Sequence, residues 1–110
     1  MAKMKYYTIG EFEGHLKERG MLLDADLYGR ENTVIRLLTY DSREVIPDTM
    51  FICKGASFKP VYLRNSVEQG AVCYISEKRY ELEQEIPYLI VKDIRVAMAA
   101  LANFFYNDPW

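Results

Sequence analysis

Val34-Ile35-Arg36-Leu37-Leu38-Thr39-Tyr40-Asp41-Ser42-Arg43 runs from an apolar stretch into three polar side chains, and Thr49-Met50-Phe51-Ile52-Cys53-Lys54-Gly55 follows within a few residues. Each reads as a short buried strand with a polar or flexible exit. The first delivers carboxylate, hydroxyl and guanidinium to a sheet edge, where open α/β sheets hold their ligands. Two strand ends of similar chemistry, this close in sequence, can form one pocket. Turn-forming residues join them, at Asp41-Ser42 and Pro47-Asp48.

On the N-terminal side, Thr8-Ile9-Gly10-Glu11 has the form of a capping box, in which hydroxyl and carboxylate each satisfy a backbone donor at a helix start. A helix over about 9–19 follows, burying Ile9, Phe12 and Leu16, and Gly20 is placed to stop it. Residues 22–32 are open between a short strand around Leu27-Tyr28 and irregular chain. On the C-terminal side Tyr62, Leu63, Ser66 and Val67 suit a helix ending near Gln69, with Gly70 at the left-handed position beyond it. Ala71-Val72-Cys73-Tyr74-Ile75 and Tyr88-Leu89-Ile90-Val91 are buried strands, separated by a charged connection over 77–85 that reads as solvated. Asp93 is placed to cap a last helix whose apolar residues Ile94, Ala97, Met98, Leu101 and Phe105 recur at helical spacing, and Asn107-Asp108-Pro109 ends it. Strands alternating with helices in this way predict an α/β fold, a small, mainly parallel sheet with flanking helices.

With 110 residues the chain is expected to be a single domain, 1–110, with one modest core. Half the residues are hydrophobic, which argues against disorder. Fourteen basic residues against sixteen acidic ones give a net charge of −2, so no electrostatic footprint for nucleic acid or an anionic membrane is present. A phosphate-bearing ligand would need locally placed donors. No apolar stretch approaches a membrane span and the first residues lack a signal-peptide core, so a cytoplasmic protein is expected. Cys53 and Cys73 lie in the strand runs with neither Cys-x-x-Cys spacing nor a nearby histidine, and read as buried thiols rather than metal ligands.

The Asp41-Ser42-Arg43 tripeptide has two readings. In one it stabilises a turn, with Arg43 shielding the sheet end; in the other Ser42 offers a neutral donor and acceptor to a base or sugar while Arg43 braces the loop or approaches an anion. Ser-His-Asp catalysis would require His15, the only histidine, which reads as a surface residue of the first helix. Lys54-Gly55-Ala56-Ser57 is equally open between a flexible strand exit and a close backbone approach to ligand. Neither Gly-x-x-x-x-Gly-Lys-Ser/Thr nor Gly-x-Gly-x-x-Gly occurs, so no ATP site is expected in the chain.

Taken in order, Thr39-Tyr40-Asp41-Ser42-Arg43-Glu44-Val45-Ile46-Pro47, Met50-Phe51-Ile52, Lys54-Gly55, Gly70-Ala71-Val72 and the stretch 97–109 resemble the N-terminal domain of the Mur ligases. The resemblance covers about 22–109 and is strongest to members that add the third residue of the peptidoglycan stem peptide. It implies a three-domain, cytoplasmic, ATP-dependent amide ligase. The first domain would hold the UDP end of a UDP-sugar-peptide, the central domain, in cis, would bind ATP and magnesium, and the last would present the amino acid. Because the chain stops before the family's phosphate loop would begin, it is expected to be a fragment, inactive alone, with no catalytic residue, metal or cofactor of its own. Carried over by position, the substrate-binding residues are Tyr40, Ser42, Gly55, Ala56 and Ser57, with Arg43 and Lys54 in support. The sequence departs from the family at Pro47-Asp48-Thr49, in place of a Gly-Asp turn, and at Phe58-Lys59-Pro60-Val61-Tyr62, in place of Asp-Gly-His. Two other readings are the neighbouring ligase that adds the terminal dipeptide and a stand-alone protein-interaction domain with the same fold.

Overall fold

The computed structural model describes residues 6–55 and 58–106. In chain order the elements are β1 (Tyr7–Thr8), α1 (Ile9–Glu18), β2 (Leu22–Asp26), β3 (Val34–Ile35), β4 (Leu37–Thr39), a 3₁₀ turn (Ser42–Glu44), β5 (Thr49–Ile52), α2 (Pro60–Glu68), β6 (Ala71–Ser76), β7 (Tyr88–Val91) and α3 (Ile94–Tyr106). Five strands form one sheet in the order β2-β7-β6-β5-β4. β4, β5, β6 and β7 run parallel; β2 closes the far edge antiparallel to β7. The fold class is α/β, as the alternation of elements predicts.

Side-chain parity divides the core in two. Met50, Ile52, Cys73, Ile75, Leu89 and Val91 point to one face, where Ile9, Phe12 and Leu16 of α1 and Ala97, Leu101 and Phe105 of α3 cover them. The alternate residues Phe51, Cys53, Tyr74, Tyr88 and Ile90 point to the other face, with Leu63 of α2, Val45 and Ile86. Strands covered on both sides explain the unbroken apolar runs in the sequence.

The helix ends follow from local chemistry. At α1 the Thr8 amide donates to Glu11 Oε1 at 2.9 Å and the Glu11 amide to Thr8 Oγ1 at 3.2 Å, which is the expected capping box. α2 begins with Pro60, whose missing N–H costs nothing in the first turn. Asp93 Oδ1 accepts from the Arg95 and Val96 amides at the start of α3.

Four expectations are corrected. The strand in the 22–32 region is Leu22–Asp26, and Tyr28, the residue on which a strand was considered, has a φ of 50° in the turn that follows. The run 34–39 is two strands: β3 pairs with β1 in a separate ribbon, and β4 joins the main sheet after Arg36, whose amide donates to Asp48 O. The charged connection is not merely solvated, because Glu77 Oε2 accepts from the Ile94 amide and the Tyr80 backbone holds the Tyr74 hydroxyl through two hydrogen bonds. His15 is half-buried rather than a plain surface residue: its ring stacks on Phe104 with centroids 4.2 Å apart, and burial beside Arg19 lowers its pKa. The expected helix stop at Asn107-Asp108-Pro109 lies outside the described residues.

Candidate functional site

β4 and β5 are parallel neighbours in register, Leu37 opposite Thr49 and Thr39 opposite Phe51, so their C-terminal ends emerge side by side. A cleft of about 580 Å³ opens there, lined by Tyr40, Asp41, Ser42 and Arg43 from the first exit, Lys54 and Gly55 from the second, and Phe58, Tyr62 and Asn65 from α2 and its approach. The structure thus brings together Tyr40, Ser42, Arg43, Lys54 and Gly55. Ala56 and Ser57 lie outside the described residues.

The loop after β4 is built by its own polar side chains. Thr39, 6% exposed, donates Oγ1 to Glu44 Oε1 at 2.7 Å and accepts from the Asp41 amide at 3.1 Å. Asp41 then accepts from the Arg43 amide at 2.9 Å and receives the Arg43 guanidinium as a fork, with Nε on Oδ1 at 3.0 Å and Nη2 on Oδ2 at 2.9 Å. The Arg43 fork holds the Asp41 carboxyl below the usual carboxylate range. These two charges therefore serve each other, and Arg43 braces the loop. Ser42 is left over from this work: only its carbonyl is engaged, by Gln69 Nε2 at 3.1 Å, and its hydroxyl makes no hydrogen bond to the described residues.

Lys54 stands with Nζ 4.6 Å from the centroid of the half-exposed Tyr40 ring, within cation–π range. That contact fixes a cation at the mouth of the cleft. Gly55 has a φ of 100°, with nothing within 4 Å of the place a Cβ would occupy, so its residue type answers to backbone conformation and the space beside it is open. Phe58 and Tyr62 meet edge to face with centroids 6.4 Å apart and give the cleft an aromatic wall. Reading the sequence by strand ends missed Phe58, Tyr62 and Asn65. The available signal was the helix start at Pro60, directly after the β5 exit, whose first turns must stand beside the strand end.

A cleft with an aromatic wall, an uncommitted hydroxyl, an amide side chain and one lysine suits a neutral heterocycle or sugar carrying an anion. The thiols do not enter: Cys53 and Cys73 are buried and burial pushes their pKa values up. Among the described residues no three His, Cys, Asp or Glu side chains gather as a metal site, and no helix is long and apolar enough to cross a membrane. The described residues that line this cleft do not form the ATP and magnesium site that the resemblance implies for a further domain.

No family model matches the chain. It is 43% identical over 82 residues, 74% of its length, to a UDP-N-acetylmuramoyl-L-alanyl-D-glutamate--L-lysine ligase of Streptococcus pneumoniae. It is 37% identical over 94 residues, 86% of its length, to a UDP-N-acetylmuramyl-tripeptide synthetase of Lactobacillus delbrueckii subsp. bulgaricus. The matches occupy 17% and 18% of those relatives, so the chain spans less than a fifth of the proteins it resembles. Among solved structures, MurF from Acinetobacter baumannii superposes with a TM-score of 0.69 over 92% of the chain and 21% of that protein, at 21% identity, which shows a shared fold.

Proposed function

The chain belongs to the Mur ligase family, and we propose that it is the substrate-recognition domain, 1–110, of a longer ATP-dependent ligase that adds the third residue of the peptidoglycan stem peptide. Its cleft takes the uridine end of the UDP-sugar-peptide. The tripeptide-adding assignment, rather than the dipeptide-adding one, rests on the 43% identity to a UDP-N-acetylmuramoyl-L-alanyl-D-glutamate--L-lysine ligase and the 37% identity to a UDP-N-acetylmuramyl-tripeptide synthetase. Amide-bond formation, ATP and magnesium belong to domains that would adjoin this one in cis, and the isolated chain binds without catalysing.

The observation that carries the reading is the Ser42 hydroxyl, which lines the cleft while Thr39, Asp41 and Glu44 supply the loop's own hydrogen bonds. In this role Ser42 exchanges a hydrogen bond with the uracil edge and Tyr40 and Gly55 shape the walls, with Ala56 and Ser57, which follow Gly55 in sequence, as further contacts. Base burial against the aromatic wall adds apolar contact. A neutral hydrogen bond contributes about 0.5–1.5 kcal/mol net, so Ser42→Ala should weaken UDP binding about two- to tenfold. The melting temperature should be unchanged, because no folded-state contact is lost. Titrating UDP into both proteins by amide NMR, with a thermal melt of each, tests this. Equal affinities with a lowered melting temperature would return Ser42 to a turn-stabilising role.

A further inference from the structure

One ring of the cleft's aromatic wall has no helix or strand of its own to hold it. Phe58 lies after the Gly55 exit and before α2 begins at Pro60, and its local anchor is its amide, which donates to Gly55 O at 3.1 Å. Tyr62, the other ring of the wall, meets it edge to face and is itself 37% exposed. A second ring stands against Phe58: Tyr80, with centroids 5.5 Å apart. Tyr80 belongs to the charged connection between β6 and β7, far along the chain from the wall it touches.

Tyr80 is held in turn from the centre of the sheet. Tyr74 lies on β6, the middle strand of the five, and is 1% exposed. Its hydroxyl donates to Tyr80 O at 3.2 Å and accepts from the Tyr80 amide at 3.0 Å, so one buried side chain satisfies both backbone groups of Tyr80. The two rings also meet edge on, with centroids 6.2 Å apart. Other ties on this connection, the Arg79–Glu85 ion pair and the Tyr28 hydroxyl on Glu85, are largely open to solvent and contribute little. The buried clamp therefore decides where Tyr80 stands. We propose that Tyr80 is a positioning residue for ligand binding: clamped by Tyr74, its ring buttresses Phe58 and so sets the wall against which the base packs. This rests on the uridine reading above and adds to it two residues that do not line the cleft.

The test uses variants of the 110-residue chain, each read in two ways: the UDP affinity of its folded fraction by amide NMR titration, and ring-to-ring NOEs between Phe58 and Tyr62 without ligand. Tyr80→Leu removes the ring, so the NOEs should weaken and UDP affinity should fall about two- to fivefold, the scale of one aromatic contact. Tyr80→Phe keeps the ring and should restore both. Tyr74→Phe unfastens the Tyr80 backbone and should change both readouts in the same direction as Tyr80→Leu. Ile75→Val is the control: it opens space on the opposite face of the same strand, lowering stability while leaving both readouts as in the unaltered chain. A Tyr80→Leu protein with a lowered melting temperature but unchanged NOEs or UDP affinity overturns the proposal. So does a Tyr80→Phe protein as impaired as Tyr80→Leu, or an Ile75→Val protein that loses as much UDP affinity. Should Tyr80→Leu fail to fold, Tyr74→Phe decides, since unchanged readouts there also overturn the proposal. An unaltered chain that binds neither uridine nor UDP removes the uridine reading instead. The NOEs then decide alone: weakened in Tyr80→Leu and restored in Tyr80→Phe, they keep Tyr80 as the buttress of the wall, and unchanged they overturn it.

Discussion

Replacing Gly70 by alanine should damage both the fold and the cleft, for a reason that can be worked from the backbone. Gly70 follows α2 with a φ of 118°, and a Cβ there would meet Pro47 Cα at 2.7 Å and Pro47 N at 3.0 Å. Both obstructing atoms are main chain, so no side-chain rotation relieves the overlap. The two segments are also tied together, since the Asp48 amide donates to Gly70 O at 3.0 Å. Holding alanine at such a φ costs about 1–3 kcal/mol and forcing the overlap about 1–3 more. A loss of about 2–6 kcal/mol would be a large part of the roughly 5–15 that a domain of this kind possesses. Gly20→Ala is the control: its φ is 69°, nothing lies within 4 Å, and only a backbone cost of about 1–2 kcal/mol applies. Urea denaturation at unchanged m-value should place Gly70→Ala at least about 1 kcal/mol below Gly20→Ala. Relief that moves Pro47 also drags the segment after the 3₁₀ turn, so UDP affinity of the folded fraction should drop as well. A Gly70→Ala protein no less stable than Gly20→Ala would refute the reasoning.

Thr39→Val keeps the shape of a buried residue but removes the hydroxyl that joins Glu44 to the Asp41 amide; the unmade bonds should cost about 1–3 kcal/mol and weaken UDP through the loop, and an unchanged denaturation midpoint would count against this account. Tyr74 is held neutral in the fold, with burial pushing its pKa from 10 to about 12. A proton retained longer in the folded state than in the unfolded one makes stability complete below pH 10 and declining as pH rises from 10 toward 12, by about 2–3 kcal/mol from this group. Denaturation curves across that window should show the decline, and Tyr74→Phe, though less stable at neutral pH, should show less of it.

The elements readable from sequence were those whose signals are local. Thr8 and Glu11 identify a helix start by themselves, as does Asp93, and the parity of Met50-Phe51-Ile52 and Leu89-Ile90-Val91 needs only two covered faces. β2 was not readable in this way. Its residues Leu23, Asp24 and Asp26 are exposed, as befits an edge strand, and what makes it a strand is pairing with Tyr88–Val91, more than sixty residues away. The break at Arg36 is likewise set from outside, by the Asp48 carbonyl that takes its amide. For the cleft, strand-end polarity pointed to Ser42 and Gly55, whereas Tyr62 fits a helix periodicity equally well as core or as wall.

The position of β2 also governs the order in which the molecule can be completed. As the chain leaves the ribosome, β4, β5 and β6 can pair with neighbours close in sequence, but β2, made before all of them, has its place reserved beside β7, the last of the described strands to emerge. Until then β2 stays an unpaired segment and α1 lacks α3, its partner on the same face of the sheet. Such long-range closure slows folding and leaves apolar surface uncovered while synthesis continues. The exposed aspartates of β2, Asp24 and Asp26, thereby acquire a role during biosynthesis: they keep a waiting strand from pairing with the wrong chain.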